Sequence, residues 1–235
     1  MVLPLIQLSR WNVRVTTPAA PSTPSRDLST LTRKPDRGSS SRALLDALLD
    51  DELVGTLSTV VDGQPWAVPL LFARDGDRVL LHGSTGAGAL RHVAAGAPMA
   101  FSVTAIDGIV VAESTFDSSA NYRSAVLRGV ARNLTGDERA DILDRLSERI
   151  LPGRTGEVRP STRKEWAATL AMELPIAEGS WTYKERTGGP SAPEEAIDVW
   201  CGVIPLRRVA AVPEPAAWSV GPVPASVLAV TEGRR

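Results

Sequence analysis

Short runs rich in Val, Leu, Trp and Phe fill residues 53 to 82, and turn-forming residues separate each run from the next. Asp62-Gly63 and Asp75-Gly76 occupy the two breaks. Asp-Gly between strand-like runs is a strong hairpin signal, because the tight turns that join antiparallel strands need positive φ. The pattern therefore predicts three consecutive antiparallel strands, at about residues 53–61, 65–73 and 77–82.

Strand-like runs continue through the rest of the chain. The sequence predicts further strands in MAFSVTAI (99–106), GIVVAEST (108–115), YRSAVLRGVARNL (122–134), TLAMELPI (169–176), SWTYKERTG (180–188) and VWCGVIPLRRVAAVPEP (199–215). The connections are too short for the helical crossovers that parallel strands require. We therefore expect a mainly β (α+β) fold, an antiparallel barrel with a few flanking helices, and not a doubly wound parallel sheet.

Three segments have the spacing of amphipathic helices. The first follows the serines at 39–41, which can cap it, and carries leucines on one face. The second, at about 87–95, is short and ends at Gly96. The third begins after Thr135, which together with Glu138 fits the capping-box pattern.

The two ends of the chain are less regular. Residues 1–38 are rich in Pro, Ser and Thr and have no apolar period, so they predict an extension that is disordered or wraps a partner subunit. Its apolar residues precede its arginines, which is the reverse of a signal peptide. We expect one domain over residues 39–235, in which the Pro-rich tail beyond Pro213 wraps the surface.

Composition narrows the function. The 26 basic and 27 acidic residues give a formal charge of −1, which offers no field for nucleic acid or an anionic membrane, and no apolar stretch approaches the length of a bilayer span. The lone Cys201 excludes an intramolecular disulfide and suits a reducing cytoplasm, where we expect the protein. Two histidines leave little for metal chemistry, so we expect no metal site, and a demanding reaction would need an organic cofactor.

The stretch RVLLHGSTGAGALRH (78–92) joins a strand to a helix through a glycine- and hydroxyl-rich turn. It lacks the third glycine of the dinucleotide fingerprint and the Gly-Lys-Ser/Thr ending of the P-loop. Ser84 and Thr85 offer hydroxyl donors, and Arg91 and His92 one turn later offer charge. Two interpretations stay open at this point: a site for a phosphate, and a structural strand-to-helix turn.

Polar residues also collect at the start of the run at 122–134. Asn121, Arg123 and Ser124 have donors for a planar, oxygen-rich ligand, and Lys184 lies in a later strand-like run. The alternative is a loop and a solvated strand face. His82 is the one imidazole at the end of a predicted strand, where it is either a structural hydrogen-bonding residue or a catalytic one.

The order of these segments resembles the flavin-nucleotide-binding proteins of the pyridoxamine 5'-phosphate oxidase-like superfamily, of the nitroimidazole-resistance type. The resemblance covers about residues 30–215 and rests on DGQPWAVPLLF, LHGSTGAGALRH, NYRSAVLRG, LPGR, ELPIAEGSWTYKERTG and VWCGVIPL. It implies an FMN-binding split β-barrel, a homodimer with its cofactor sites at the subunit interface, and a flavin-dependent oxidoreductase that acts on a small molecule.

The resemblance also implies site residues. His82, Gly83, Ser84 and Thr85 would follow the phosphate and ribityl chain of FMN, and Pro69 and Leu70 would lie near the ring. The same pocket would receive a second set of residues, Asn121, Tyr122, Arg123, Ser124 and Lys184. Arg123 or Lys184 would stabilise the reduced, anionic flavin, and His82 would be the residue that handles substrate.

One segment departs from the family pattern. Relatives read Phe-His-His-Ser-Met before NYRS, whereas this chain reads Phe116-Asp117-Ser118-Ser119-Ala120. The change predicts a different substrate, and it leaves open two alternatives to an FMN enzyme. One is a split barrel that binds haem or deazaflavin F420, with His82 or His92 as the axial ligand of a haem. The other is a non-catalytic protein that binds flavin or no cofactor.

Overall fold

The computed structural model describes residues 31–194 and 198–233. Most of the predicted N-terminal extension falls on residues 1–30 and lies outside the described residues. Residues 35–37, by contrast, form one turn of 3-10 helix that leads directly into the first strand.

The described residues form ten strands and five α-helices. The strands are β1 (Gly38–Ser39), β2 (Val54–Val61), β3 (Gln64–Asp75), β4 (Arg78–Ser84), β5 (Pro98–Val111), β6 (Ser119–Val130), β7 (Arg132–Leu134), β8 (Thr169–Pro175), β9 (Trp181–Arg186) and β10 (Gly202–Pro205). The helices are α1 (Arg42–Asp51), α2 (Gly88–Ala94), α3 (Gly136–Ile150), α4 (Arg163–Ala167) and α5 (Ala225–Gly233).

All ten strands pair antiparallel in one sheet, in the order β1-β9-β6-β5-β2-β3-β4-β8-β7, with β10 added to β5. The sheet curls on itself: a Cβ placed on Gly129 of β6 would lie 3.2 Å from Leu174 of β8, although four strands separate β6 from β8 along the sheet. The structure therefore confirms the predicted mainly β, antiparallel barrel with flanking helices.

The two Asp-Gly turns have the backbone that their sequence predicts. Asp62 and Gly63 adopt φ of 52° and 75°, so Val61 pairs with Gln64 across a two-residue turn. Gly76 adopts φ of 59°, and Asp75 pairs with Arg78. Positive φ at these positions matches the twist of the strands that the turns connect. The hairpin prediction for the first three strands is confirmed.

The main core lies inside the curled sheet. Phe72 of β3 and Phe101 of β5 meet edge to face, with ring centroids 5.2 Å apart, and α1 covers them with Leu45, Leu48 and Leu49. A smaller apolar cluster forms where α3 packs on the outer face of β3, β4 and β8. β3 and β4 thus pack against apolar clusters on both faces, and β4 leads into the candidate site.

Three local predictions were wrong. Residues 108–111 continue β5 past an irregularity in register at Asp107 and do not start a new strand. The predicted strand at 122–134 ends at Val130, and the chain bends so that β7 pairs with β8. Thr135 makes no side-chain cap, and Glu138 binds Arg132 instead.

The C-terminal prediction was also incomplete. Of residues 199–215 only Gly202–Pro205 pair as a strand, and α5 follows where the sequence predicted a tail without helix. Ser226, buried at the start of α5, donates its N–H and its hydroxyl to Glu157 and so fixes the helix to the domain. In the described ranges, no helix has the length and apolar character to cross a membrane.

Candidate functional site

The turn at residues 84–88 is the centre of the first predicted group of site residues. Gly86 donates its N–H to Ser84 Oγ at 3.1 Å, Ala87 donates to Ser84 O at 3.0 Å, and Thr85 donates to Ala168 O at 3.1 Å. The turn therefore uses several of its own N–H groups. The exposed side chains of Ser84, Thr85 and Arg91 remain as donors to an external anion.

Two glycines allow this turn to close tightly. A Cβ on Gly83 would lie 2.1 Å from Leu90 Cδ2, so Gly83 lets α2 pack directly on β4. A Cβ on Gly88 would lie 2.9 Å from Trp66 Cη2, so the indole of Trp66 covers the start of α2. Trp66 is 44% exposed and offers a planar surface beside the turn. Trp66 lies in the DGQPWAVPLLF motif, but the sequence alone predicted no role for it.

His82 lies on β4, opposite Ala171 of β8, and is half-buried. Its Nδ1 is buried and has no hydrogen-bond partner within the described ranges. Burial lowers the pKa of the His82 imidazole below its ordinary value, so the ring is neutral at neutral pH. A neutral imidazole with a free ring nitrogen can ligate a metal or hydrogen-bond a ligand.

Pro69 and Leu70 lie on β3, the neighbour of β4, with their side chains in different surroundings. Pro69 is exposed and pairs with Thr56 of β2, whereas Leu70 packs against the main core. Only Pro69 of the two presents its side chain to a ligand outside the barrel, because successive strand residues point to opposite faces.

The second predicted group lies on β6 and β9, where Ser124 pairs with Lys184. Ser124 Oγ donates to Lys184 O at 3.3 Å. Asn121 uses both ends of its amide, since Nδ2 donates to Gly188 O at 3.0 Å and Oδ1 accepts from Arg186 Nη1 at 2.7 Å. These polar groups already have partners, and the side chains that stay available are those of Tyr122 and Lys184.

Arg123 is paired with two carboxylates in the structure. Its guanidinium binds Asp107 through two hydrogen bonds of 3.0 Å each and binds Asp51 at 2.6 Å. Hydrogen bonding to Asp107, opposed by burial and reinforced by Asp51, raises the pKa of Arg123. The charge is thus matched by two carboxylates, which disfavours Arg123 as the cation that stabilises a reduced flavin.

Tyr122 and Lys184 line a cleft of about 760 Å³ that we call the Phe116 cleft. Its wall is formed by the segment before β1, the loop between β5 and β6, and β9. The lining includes Arg33, Lys34, Arg37, Glu113, Phe116, Asp117, Ser118, Tyr122, Lys184 and Arg186. The sequence analysis gave no role to the three cations before β1, since it predicted that residues 1–38 are disordered or wrap a partner subunit.

The structure does not join the two predicted groups within one chain. The first lies on β3, β4 and the turn that follows, and the second lies on β6 and β9, with β5 and β2 between them in the sheet. The Phe116 cleft contains no residue of the first group. The two groups therefore lie apart, and within the described ranges no cluster of three or more His, Cys, Asp or Glu side chains could hold a metal ion.

Comparison with known proteins agrees with this architecture. Residues 41–182 match the family model described as pyridoxamine 5'-phosphate oxidase. That match covers more than half of the chain. A comparison with curated proteins gives no match.

Solved structures extend the comparison. The FAD and haem binding protein from Mycobacterium smegmatis is 46% identical, with 83% of this chain and 97% of that chain covered and a TM-score of 0.80. The flavocytochrome Anf3 from Azotobacter vinelandii is 29% identical over 86% of this chain and 95% of that chain, with the same TM-score of 0.80. A candidate 5-nitroimidazole antibiotic resistance protein from Bacteroides thetaiotaomicron is 15% identical over 63% and 86%, with a TM-score of 0.52, and shares the fold alone.

Proposed function

We propose that this chain, which belongs to the pyridoxamine 5'-phosphate oxidase family, binds a flavin as its redox cofactor and works as an oxidoreductase. The observation that carries the proposal is the 46% identity, over 83% of this chain, to a protein that binds FAD and haem. The flavocytochrome with a TM-score of 0.80 supports it. Both relatives favour a flavin over F420.

The flavin is FAD in this proposal, where the family resemblance alone led us to expect FMN. The residues on β4 and in the turn after it fit a flavin phosphate. Ser84 and Thr85 present exposed hydroxyls, and Arg91 presents an exposed guanidinium with no ion pair within the described ranges. Charge-assisted hydrogen bonds of this kind hold phosphate strongly. The exposed indole of Trp66 supplies an apolar plane next to them.

When it is bound, the flavin supplies hydride or single-electron transfer. The chain's own part is to bind and orient the cofactor. Ser84 and Thr85 hold the phosphate, and Trp66 limits access of water to the bound ring. Lys184, half-buried and without an ion pair in the described part of the chain, supplies the positive charge that we expected from either Arg123 or Lys184.

A second copy of the chain completes the site in this proposal. The two groups, each a half-site in this proposal, lie on strands separated by β5 and β2, and the cleft lined by Tyr122 and Lys184 contains no residue of the first group. In a two-fold dimer, the β4 half-site of one protomer faces the β6–β9 half-site of its partner. Coexpression of two differently tagged variants, Ser84→Ala/Thr85→Ala and Lys184→Ala, tests this arrangement.

In a dimer of either variant alone, both cofactor sites contain a damaged half-site. A mixed dimer has one site in which both half-sites are intact. Random pairing makes half of the dimers mixed, so about one quarter of all sites should bind flavin with native affinity. The control is the flavin affinity of each variant expressed and purified separately. If the purified mixed dimer has no site that binds flavin with native affinity, the shared site is contradicted.

The cofactor itself is tested by the absorption spectrum of the purified protein and by chromatography of the flavin released on denaturation. We expect the two visible and near-ultraviolet bands of an oxidised flavin, and FAD as the released species. A flavin-free preparation that does not quench the fluorescence of added FAD or FMN would contradict the proposal.

A haem is the second candidate cofactor, alone or beside the flavin. The buried, unpartnered Nδ1 of His82 favours it, because an imidazole kept neutral by burial is suited to ligate iron. A Soret band that disappears in His82→Ala and persists in His92→Ala would support this role. Reconstitution with haem that gives the same spectrum in the wild type and in His82→Ala would exclude His82 as the ligand.

A further inference from the structure

Five cationic side chains converge on the Phe116 cleft. Arg33, Lys34 and Arg37 come from the segment before β1, and Lys184 and Arg186 come from β9. Glu113 and Asp117 are the two carboxylates in its lining, so the cationic side chains exceed the carboxylates by three. The cleft therefore attracts anions.

None of the five cations has a carboxylate partner within the described ranges. Many arginines elsewhere in the fold do: Arg42 binds Asp46 at 2.7 Å, and Arg74 binds Asp50 at 2.5 Å. Gathering like charges without counter-charges is unfavourable unless an anion binds between them. The gathering of five unpaired cations around one cleft thus points to a bound anion.

The segment before β1 is built to hold its cations over β9. Lys34 adopts φ of 54°. This left-handed conformation costs free energy in any residue other than glycine. The turn that follows is closed by a hydrogen bond of 3.1 Å from Arg37 N–H to Lys34 O. Gly38 then pairs with Lys184, which fixes the segment against the strand that carries the other two cations.

Phe116 stands at the opposite side of the cleft and is 93% exposed. Its loop is held by hydrogen bonds of its own: Ser114 Oγ donates to Asp117 Oδ2 at 2.6 Å, and Ser118 Oγ donates to Ser114 O at 2.8 Å. The ring is therefore presented to solvent by an ordered loop, and the Asp117 carboxylate is engaged within that loop. An exposed aromatic ring beside unpaired cations is the arrangement that stacks a base and binds its phosphates.

We infer that the Phe116 cleft binds a nucleoside diphosphate group, with the base on Phe116 and the phosphates between the N-terminal cations and Arg186 of β9. Two sources carry this group: the nucleotide half of FAD, and a nicotinamide dinucleotide that donates electrons. Binding of a nucleoside diphosphate group in the cleft does not depend on the proposed function. Assignment of that group to FAD or to an electron donor rests on the proposed function.

The first test is calorimetric titration of ADP and of pyrophosphate into the full chain after removal of flavin. The variant Lys34→Ala/Arg37→Ala should raise the Kd for both ligands by at least tenfold. The variant Phe116→Ala should raise the Kd for ADP about fivefold or more and leave pyrophosphate unchanged, because only ADP has a base to stack.

Matched controls are available in the same chain. Arg128→Ala removes a half-buried cation from the far end of β6, and Trp218→Ala removes an aromatic ring that is 85% exposed on the C-terminal tail. Both should bind ADP as the wild type does. An ADP affinity that is the same in Lys34→Ala/Arg37→Ala as in the wild type overturns the inference.

The second test identifies the source. If the group belongs to FAD, Lys34→Ala/Arg37→Ala weakens FAD binding at least tenfold and weakens FMN binding by less, because FMN carries only one of the two phosphates. If it belongs to a donor, the same variant weakens binding of NADH or NADPH and leaves FAD unchanged. Unchanged affinity for all of them contradicts the inference.

These outcomes separate the two proposals. Failure of the flavin proposal leaves ADP binding measurable, because the cleft belongs to the chain itself. Failure of the cleft inference leaves FMN binding at the β4 half-site intact.

Discussion

Arg123 on β6 binds Asp107 on β5 through two parallel hydrogen bonds, from Nε to Oδ2 and from Nη2 to Oδ1, each 3.0 Å long. Asp107 is the residue left out of the pairing where the register of β5 and β6 shifts between Ile106 and Gly108. A bulge of this kind redirects one side chain while the strand continues. The irregularity thus aims a carboxylate at an arginine that the family pattern would place beside the flavin.

The first prediction concerns this pair. Asp107→Asn should lower the free energy of unfolding by about 1 kcal/mol, since a partly exposed two-bond ion pair is lost and Asp51 keeps part of the charge compensated. Chemical denaturation at neutral pH and moderate salt measures it. Asp141→Asn, which breaks the more exposed pair with Arg145, is the control and should have the smaller effect. Equal losses in the two variants would mean that the pair of Asp107 with Arg123 stabilises the fold no more than an exposed ion pair does.

The second prediction concerns the phosphate donors. Ser84→Ala combined with Thr85→Ala should weaken flavin binding by about 1–3 kcal/mol, the range for hydrogen bonds to a charged group. Fluorescence quenching of titrated flavin gives the affinity. Ser161→Ala with Ser219→Ala removes two exposed hydroxyls outside both half-sites and should leave the affinity unchanged. Native affinity in the first variant would place the phosphate elsewhere.

The third prediction concerns the contact between β4 and α2. Gly83→Ala should destabilise the protein by about 1–3 kcal/mol, because the new Cβ would lie 2.1 Å from the buried Leu90 Cδ2. Shortening Leu90 should recover part of this loss, so Leu90→Ala should cost less free energy in the Gly83→Ala background than in the wild type. Thermal and chemical unfolding of the four proteins completes the double-mutant cycle. Additive losses would show that the two residues do not compete for space.

The fourth prediction concerns acid stability. Glu173 is largely buried and accepts from Arg78 at 2.7 Å and from Arg132 at 2.8 Å. Burial alone would raise its pKa, but the hydrogen bonds from Arg132 and Arg78 outweigh burial, and the pKa of Glu173 lies below its ordinary value of 4.5. A carboxyl group with a lowered pKa in the folded state stabilises the fold above the unfolded pKa, and this contribution is lost as the pH falls through the folded value.

The variant Glu173→Gln should therefore be less stable than the wild type at neutral pH, and the difference should shrink as the pH is lowered below about 4.5. Urea denaturation across a series of pH values measures the difference. Glu178→Gln, at an exposed glutamate without an ion pair in the described part of the chain, should show little change at any pH. A Glu173→Gln deficit that is constant with pH would assign the effect to packing.

The strands and hairpins could be predicted because their signals are local. Positive φ at Asp62, Gly63 and Gly76 follows from residue type, and the runs between these turns have strand composition. The capping box at Thr135 was local too, and it was wrong: Glu138 binds Arg132, which also binds Glu173 of β8. A capping box does form at Thr162 and Glu165, ahead of the short α4, although Glu165 also binds Arg159 at 2.7 Å.

The sequence by itself determined the antiparallel barrel, the glycine-rich turn after β4 and the candidate residues around it, because turn conformation and strand alternation depend on neighbouring residues. Tertiary structure alone decided what surrounds each charged side chain. Pairing of Gly38 with Lys184 brings the N-terminal cations to β9, and the bulge at Asp107 neutralises Arg123. Both depend on contacts between residues far apart in sequence, and no local pattern of residues encodes the strand register that creates them.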